Sequence, residues 1–246
     1  MMEVTGLGCL RGERRLFGGV SFKLQPGGLI WIQGGNGSGK TTLLRTLCGL
    51  AQAMAGEVRW SGETIQSLGE DYRRELTYIG HANGLKEDLS AQENLLTTAH
   101  LSGQPASREA VTEALRGIGL AGREHLPVKF LSQGQRRRAA LARLRLAHAR
   151  PLWLLDEPFN ALDVAAVADM RQLMENHLEQ GGMIFLVVPT LVQRASPLGG
   201  DHQARLAGRV PQMMREQVHP FITDLFGREQ KLSRIARTIG HAPPRN

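Results

Sequence analysis

The sequence has few cysteines, no long apolar run and no recognisable leader. Its two cysteines, Cys9 and Cys48, match neither a CxxC motif nor a metal-binding spacing. Isolated thiols of this kind are typical of a reducing compartment. The longest uninterrupted apolar stretch, residues 183–188, is far shorter than the ~18 residues of a membrane-spanning helix. Because the N-terminus reaches Glu3 without an apolar segment, no signal peptide is predicted either, and a soluble cytoplasmic chain is favoured.

The positive charge is unevenly distributed along the chain. The formal net charge is +7, from 30 Lys and Arg against 23 Asp and Glu. Such a balance fits nucleic acid, an anionic membrane surface or phosphorylated small molecules as partners. Residues 1–185 carry 21 basic and 19 acidic side chains, whereas residues 186–246 carry 9 and 4. Most of the excess therefore lies in the last quarter, which argues against a nucleic-acid footprint on the folded part.

Short apolar segments alternate with helical patterns up to residue 188. The 246 residues, 41% of them hydrophobic, are enough for a sizeable core and too apolar for a disordered chain. The alternation predicts an α/β fold with a largely parallel sheet, interrupted by a helical insertion over residues 90–149. Asp163 is predicted to cap a helix with an apolar stripe of Val164, Val167, Met170, Met174 and Leu178. The predicted strands cover residues 3–9, 20–24, 29–32, 57–62, 76–80, 152–155 and 183–188.

A glycine-rich loop that fits G-x-x-x-x-G-K-[ST] follows the strand at residues 29–32 and precedes a helical pattern. Glycines allow successive N–H groups to point at phosphate oxygens, and the helix beginning near Gly39 adds the positive end of its dipole. Lys40 is predicted to neutralise the β- and γ-phosphates, and the Thr41 hydroxyl to ligate Mg²⁺. The predicted phosphate-binding residues are Gly34, Gly35, Asn36, Gly37, Ser38, Gly39, Lys40, Thr41 and Thr42.

Two carboxylates, Asp156 and Glu157, end the apolar strand at residues 152–155. In a parallel sheet this strand end lies at the same edge as the phosphate loop. Asp156 is predicted to hold Mg²⁺ through water, and Glu157 to act as the general base for an attacking water. Acidic residues at an exposed strand end are common, so the roles assigned to Asp156 and Glu157 depend on the presence of the phosphate loop.

A third motif, Leu131-Ser132-Gln133-Gly134-Gln135, precedes a helix predicted over residues 136–150. At this point the chain resembles the ABC-type ATPases, whose signature is Leu-Ser-Gly-Gly-Gln. The order of the three motifs is the same as in that family, and Phe159-Asn160-Ala161-Leu162-Asp163 is similar to its D-loop. Three arginines, residues 136–138, follow the signature, and we interpret them as a solvated helix face.

This resemblance implies a P-loop NTPase core of RecA-like, ABC ATPase type over residues 1–188, with a helical signature subdomain at about residues 86–148. It also implies that ATP with Mg²⁺ lies between two subunits of a homodimer. The phosphate loop would come from one subunit. The signature residues Ser132, Gln133, Gly134 and Gln135 would act in trans, with a helix N-terminus directed at the γ-phosphate.

Within the family, several segments resemble the ATP-binding subunits of the bacterial haem exporter of cytochrome c maturation. They include residues 80–86, 93–95, 119–122, 131–144, 155–163 and 179–183. The resemblance implies a peripheral ATPase on the cytoplasmic face of the inner membrane, bound to integral-membrane subunits. ATP hydrolysis would support the release of a haem-loaded periplasmic chaperone. The partners, rather than this chain, would handle haem, and no nucleic acid would be involved.

The chain departs from the family pattern at three positions. No glutamine stands at the Q-loop, where His81 or Asn83 could instead contact the metal-bound water or a membrane partner. The usual adenine-stacking aromatic aligns with about Arg11, and Phe17 is the alternative. At the end of the strand at residues 183–188, Pro189 replaces the expected Thr-His, which predicts slow hydrolysis.

A shifted reading frame would explain the missing histidine. Thr-His encoded ACC-CAC becomes Pro-Thr when the first A is lost, and Thr190 does follow Pro189. Residues 189–246 are therefore predicted to be an atypical basic tail, either frame-shifted relative to the family or disordered.

Three alternative functions stay open from the sequence. The chain could serve a transporter for another solute, because the membrane partner selects the cargo. It could also be a nucleotide-binding module with weak hydrolysis. An ABC protein acting on nucleic acid or the ribosome is disfavoured, because those resemble two fused cassettes and this chain has one.

Overall fold

The computed structural model describes residues 1–12, 14–32, 34–147 and 149–188. In these ranges eight strands form two four-stranded sheets, and eight α-helices and one 3-10 helix complete the fold. The strands are β1 (Met2–Arg11), β2 (Arg14–Leu24), β3 (Leu29–Ile32), β4 (Ala55–Trp60), β5 (Glu63–Thr64), β6 (Leu76–Ile79), β7 (Leu152–Asp156) and β8 (Met183–Val187). The helices are α1 (Lys40–Leu47), α2 (Ile65–Leu68), α3 (Glu70–Arg74), α4 (Ala91–Leu101), α5 (Arg108–Arg116), the 3-10 helix (Val128–Phe130), α6 (Gln133–Leu141), α7 (Arg143–Leu146) and α8 (Val164–Glu179).

The parallel sheet has the strand order β3-β8-β7-β6. Its central strand β7 is buried along its whole length. Leu152 and Leu154 face one core cluster and Trp153 and Leu155 face the other, because successive side chains of a strand point to opposite faces. This two-sided burial explains the continuous apolar run. All four strands end at one edge, which brings together the segments after β3, β6 and β7.

The antiparallel sheet has the order β2-β1-β4-β5. Its strands β1 and β2 are longer than the predicted segments at residues 3–9 and 20–24. The pairing continues through register shifts between Val4 and Leu7 and between Leu7 and Cys9, and such bulges hide the period-2 pattern on which the prediction relied. The two sheets share one core, in which the rings of Phe22 and Phe185 stack with centroids 5.4 Å apart.

The helices α4 to α7 lie between β6 and β7 in the chain and pack on the second face of the parallel sheet. The single helix predicted over residues 136–150 is wrong in its bounds. The helix α6 begins earlier, because Ser132 and Gln135 form a capping box at its start, and it ends at Leu141 before the separate turn α7. None of the described helices is both long and apolar enough to cross a membrane.

The helix α8 begins where predicted, because the Asp163 carboxylate accepts a hydrogen bond from the Ala166 amide, at 2.9 Å. Its predicted stripe is wrong at Val164, which is 89% exposed. The buried side instead carries Ala166, Met170, Met174 and His177. Val164 is the first residue of α8, directly after the Asp163 cap.

Candidate functional site

The phosphate loop connects β3 to α1 at the carboxyl edge of the parallel sheet. Gly39 has a φ of +93°, and a Cβ there would lie 3.1 Å from both Leu16 and the Phe17 ring. Only glycine fits both the backbone conformation and this close approach. Helix α1 begins at the next residue with no side-chain cap and no acidic residue in its first turn. An uncapped helix N-terminus after a glycine-rich loop is suited to bind an anion.

The Lys40 side chain lies across the loop from which it projects. It is 7% exposed, and its Nζ donates to the carbonyl oxygens of Gly34, at 2.5 Å, and Gly35, at 3.1 Å. The Ser38 amide donates to the same Gly35 carbonyl, at 3.2 Å. These contacts close the loop around a single ammonium group. Asn36 and Gly37 stand exposed at its tip, whereas Thr42 follows in the first turn of α1.

Thr41 and Asp156 meet where α1 faces the end of β7. The Thr41 hydroxyl donates to Asp156 Oδ2 at 2.9 Å, across 115 residues of sequence. The carboxylate is 1% exposed, and burial raises the pKa of Asp156 above its usual value. The hydroxyl and the neighbouring Glu157 have smaller, opposing effects on that pKa. A buried carboxylate beside a hydroxyl is a donor set that suits Mg²⁺, because a cation would offset the cost of burying the charge.

Glu157 has a left-handed backbone, with a φ of +49°. Its Oε2 accepts a hydrogen bond from Asn160 Nδ2 at 2.6 Å and lies 3.8 Å from His81 Nδ1. His81 is 74% exposed, so this pair faces solvent. The carboxylate predicted to be the base is therefore held by Asn160, which lies in the segment similar to the D-loop. Asn83 is placed differently, because its Oδ1 accepts from Arg137 at 3.3 Å.

The signature residues form the N-terminus of α6. Ser132 Oγ accepts from the Gln135 amide at 3.3 Å, while Gln135 Oε1 accepts from the Ser132 amide at 2.9 Å. Gln133 is exposed, and Gly134 packs against the carbonyl of Ala161. Among the described residues no hydrogen bond or ion pair joins this motif to the phosphate loop.

The interpretation of residues 136–138 as a solvated helix face is wrong for Arg137. Its side chain is 4% exposed and reaches the ends of β6 and β7. The spacing contained a signal for this, because Arg137, Ala140, Leu141 and Leu144 fall on one helical face and all are buried. Arg138 instead pairs with Asp163 at 3.1 Å.

The two candidates for stacking on adenine have different outcomes. Phe17 is 4% exposed and packs in the core beneath Gly39, so it offers no free face to a base. The Arg11 side chain lies outside the described part of the structure, as do Pro189, Thr190 and the predicted basic tail, residues 189–246.

Comparisons with known proteins agree on the family. Residues 17–160 match the family model described as ABC transporter. A protein from Dechloromonas aromatica is 52% identical over 206 residues, which cover 84% of this chain and all of that protein. A second from Nitrosospira multiformis is 54% identical over 75% of this chain and 89% of its own. Both are named "Cytochrome c biogenesis ATP-binding export protein CcmA".

Solved structures show the same architecture. The structure of an ATP-binding subunit of an ABC transporter has a TM-score of 0.68 at 25% identity, covering 78% of this chain and 80% of that one. The dimeric post-hydrolysis structure of the cassette MJ0796 bound to ADP and Pi has a TM-score of 0.68 at 26% identity, covering 78% and 89%. The phosphate loop, the acidic strand end and the signature therefore stand in an ABC-type P-loop NTPase fold, and the chain belongs to the ABC transporter family.

Proposed function

We propose that the chain is the ATP-binding and ATP-hydrolysing subunit of an ABC transporter for cytochrome c biogenesis. The observation that carries the assignment is the 52% identity to a cytochrome c biogenesis export protein over that protein's whole length. The physical support is the meeting of Lys40, Thr41, Asp156 and Glu157 at one edge of the sheet. The similarity to that protein supports the type of transporter, and the positions of these four side chains support ATP hydrolysis.

ATP binding would use the residues from Gly34 to Thr42. The N–H groups at the start of α1 would face the phosphates, and Lys40 would exchange its two carbonyl contacts for the β- and γ-phosphate oxygens. That exchange is favourable because the phosphate oxygens carry a negative charge that attracts the ammonium group, whereas the carbonyl oxygens are neutral.

Mg²⁺ would be held by the Thr41 hydroxyl and by Asp156, directly or through water. When bound, it would supply positive charge to the phosphate oxygens. The two side-chain oxygens already lie 2.9 Å apart, so both can face one small cation after the hydroxyl turns its proton away. The raised pKa of Asp156 marks a buried charge whose compensation such a cation provides.

Glu157 would accept a proton at a carboxylate oxygen from the water that attacks the γ-phosphate. Its Oε2 accepts a hydrogen bond from Asn160, which fixes the orientation of the carboxylate. His81 Nδ1 lies 3.8 Å from Glu157 Oε2. The imidazole would orient the water or the carboxylate in place of the absent Q-loop glutamine. Asn83, held by Arg137, would act indirectly.

The active form would be a homodimer in which each ATP lies between the phosphate loop of one subunit and Ser132, Gln133, Gly134 and Gln135 of the other. Two observations support it. Among the described residues no hydrogen bond or ion pair joins the signature to its own phosphate loop, and a solved cassette of the same fold is dimeric. The capped N-terminus of α6 would then meet the γ-phosphate in trans.

The subunit would be a peripheral protein on the cytoplasmic face of the bacterial inner membrane, bound to integral-membrane subunits. Residues 1–188 would form the nucleotide-binding domain, with a helical subdomain near residues 86–148. Haem would be handled by the partners, and no nucleic acid would take part. The support is the similarity to a cytochrome c biogenesis export protein.

Affinity purification of the full chain from membranes tests the partner assignment. The expected result is the recovery of integral subunits required for cytochrome c biogenesis. Recovery of subunits from a sugar or amino-acid importer would contradict it. A complementation assay tests the function in a strain that lacks the gene. Lys40→Ala should fail to restore c-type cytochromes, whereas Lys23→Ala, which alters an exposed ion pair with Glu3, should restore them.

A further inference from the structure

Arg137 connects three segments that surround the proposed base. It lies two residues after the signature, in α6, and its side chain is buried. Its Nη1 donates to the Gly80 carbonyl at 2.9 Å and to Asn83 Oδ1 at 3.3 Å. Its Nη2 donates to the carbonyl oxygens of Asp156, at 2.8 Å, and Glu157, at 2.9 Å. One guanidinium therefore joins the signature helix to the loop after β6 and to the end of β7.

Both contacts at β7 are made to backbone atoms next to the proposed base. Glu157 has a φ of +49°, a conformation that disfavours every residue except glycine. Such a conformation persists only where neighbouring groups hold it. Here the Glu157 amide donates to Val187, at 2.9 Å, and its carbonyl accepts from Arg137 and from the Asn160 amide, at 3.2 Å. Arg137 is the only side chain among these three contacts.

The burial of Arg137 has a cost that its contacts must offset. Desolvation lowers the pKa of the guanidinium, and the nearby charges of Asp156 and Glu157 oppose this effect. A lysine ammonium has three donors on a single nitrogen, whereas the planar guanidinium here reaches four acceptors in the loop after β6 and at the end of β7. The arrangement therefore depends on arginine itself and not only on a positive charge.

We propose that Arg137 is a positioning residue that holds Glu157 in its left-handed conformation, and so aims the carboxylate at the attacking water. The inference rests on the proposed role of Glu157 as the base. Because Arg137 is carried by α6, a movement of the signature helix on meeting ATP would be transmitted to the base through this side chain. Removing it leaves the phosphate loop untouched, so ATP binding is unaffected while the chemical step slows.

Arg150 provides a matched control for a purely structural role. It is also a buried arginine, 9% exposed, and its guanidinium donates to Leu76 O at 2.6 Å, Ser102 O at 2.7 Å and Gln104 Oε1 at 3.2 Å. These contacts lie at the start of β6 and the end of α4, away from the proposed site. Arg150→Gln therefore removes a similar set of hydrogen bonds without touching Glu157.

The test compares Arg137→Gln, Arg137→Lys and Arg150→Gln in the full chain, with steady-state ATP hydrolysis and amide hydrogen exchange. Arg137→Gln should lower kcat by about 10–100-fold, the size expected when a catalytic group is misplaced by about 1 Å, with KM within about threefold. The kcat of Arg137→Lys should lie between those of Arg137→Gln and the wild type. Hydrogen exchange of the Asn160 amide should become faster in both Arg137 variants. Arg150→Gln should lose thermal stability but keep the wild-type kcat and the wild-type exchange rate at Asn160.

Two results would overturn the inference: a kcat for Arg137→Gln as high as that of Arg150→Gln, or unchanged exchange at Asn160. If Arg137→Gln does not fold, Arg137→Lys is judged by the same criteria. Glu157→Gln, measured in the same assay, tests the role of Glu157 as the base separately from the role of Arg137 in holding its backbone. If it leaves wild-type turnover intact, the proposed base is wrong, whereas the exchange measurement still decides whether Arg137 holds this backbone.

Discussion

Gly134 is the residue of the signature where a single added methyl group meets a backbone that cannot move aside freely. A Cβ at this position would lie 2.7 Å from the carbonyl oxygen of Ala161. That carbonyl belongs to the turn that also presents Asn160 to Glu157. Ala161 has a φ of +61°, so the turn is already in a conformation with few alternatives. Gly134→Ala must therefore push α6 and the turn apart.

Two opposing effects decide the stability of Gly134→Ala. Alanine is favoured over glycine within a helix by about 1 kcal/mol, and by less in the first turn. Overpacking a close contact costs about 1–3 kcal/mol. Because the clash is with a backbone atom and not with the end of a flexible side chain, the second effect should win. We expect a net loss of about 1–2 kcal/mol, which lowers the Tm of a domain of this size by roughly 2–8 °C.

Urea unfolding of the full chain without nucleotide measures this loss directly. The neighbouring Gln133→Ala is the control, because its side chain is exposed and its removal should change the free energy of unfolding by less than about 0.5 kcal/mol. If Gly134→Ala is as stable as wild type or more stable, the contact between α6 and Ala161 is not as close as the structure indicates.

Three further predictions concern a buried charge, a helix cap and the end of the described chain. Burial raises the pKa of Asp156, so ionisation of this carboxyl group destabilises the fold as the pH rises through that raised pKa. Asp156→Asn should therefore increase the Tm of the nucleotide-free chain at pH 7 and weaken its stabilisation by ATP with Mg²⁺. A lower Tm for Asp156→Asn would contradict this prediction. Ser90→Ala removes the capping box of α4 and should lower the free energy of unfolding in urea by about 1 kcal/mol. Ser67→Ala, at an exposed position, should lower it by less than half of that. Equal losses in the two variants would argue against a stabilising cap at Ser90. Reading the gene should reveal Thr-His after Val188 in an alternative frame, and the frame hypothesis is abandoned if no such frame exists.

Much of the parallel sheet could be predicted from the sequence because its strands are buried on both faces. The apolar runs of β3, β7 and β8 occur at the predicted positions, with bounds that differ by no more than one residue. The antiparallel sheet was predicted less well. Its register shifts depend on pairing between distant strands, and no local pattern in β1 or β2 records them.

The candidate site shows a similar division. The phosphate loop and the acidic strand end could be found because their chemistry requires particular residue types at short spacings. The contacts that orient them join residues far apart in the chain: Thr41 to Asp156, and Arg137 to Gly80. Within the arginine run only the spacing relative to Leu141 and Leu144 indicated burial, and the run of three charges obscured it. The prediction for Val164 was wrong for the opposite reason, because this residue is apolar and has the helical spacing of the stripe, yet its side chain is exposed at the first position of α8.

The central claim is that this edge of the sheet hydrolyses ATP with Glu157 as the base. The most direct measurement is the steady-state ATP turnover of the full chain and of Glu157→Gln, with Glu179→Gln, at an exposed position, as the matched control. We predict a loss of at least about 100-fold in kcat for Glu157→Gln, with ATP still bound and with Glu179→Gln unchanged. Turnover at the wild-type rate in Glu157→Gln would contradict it.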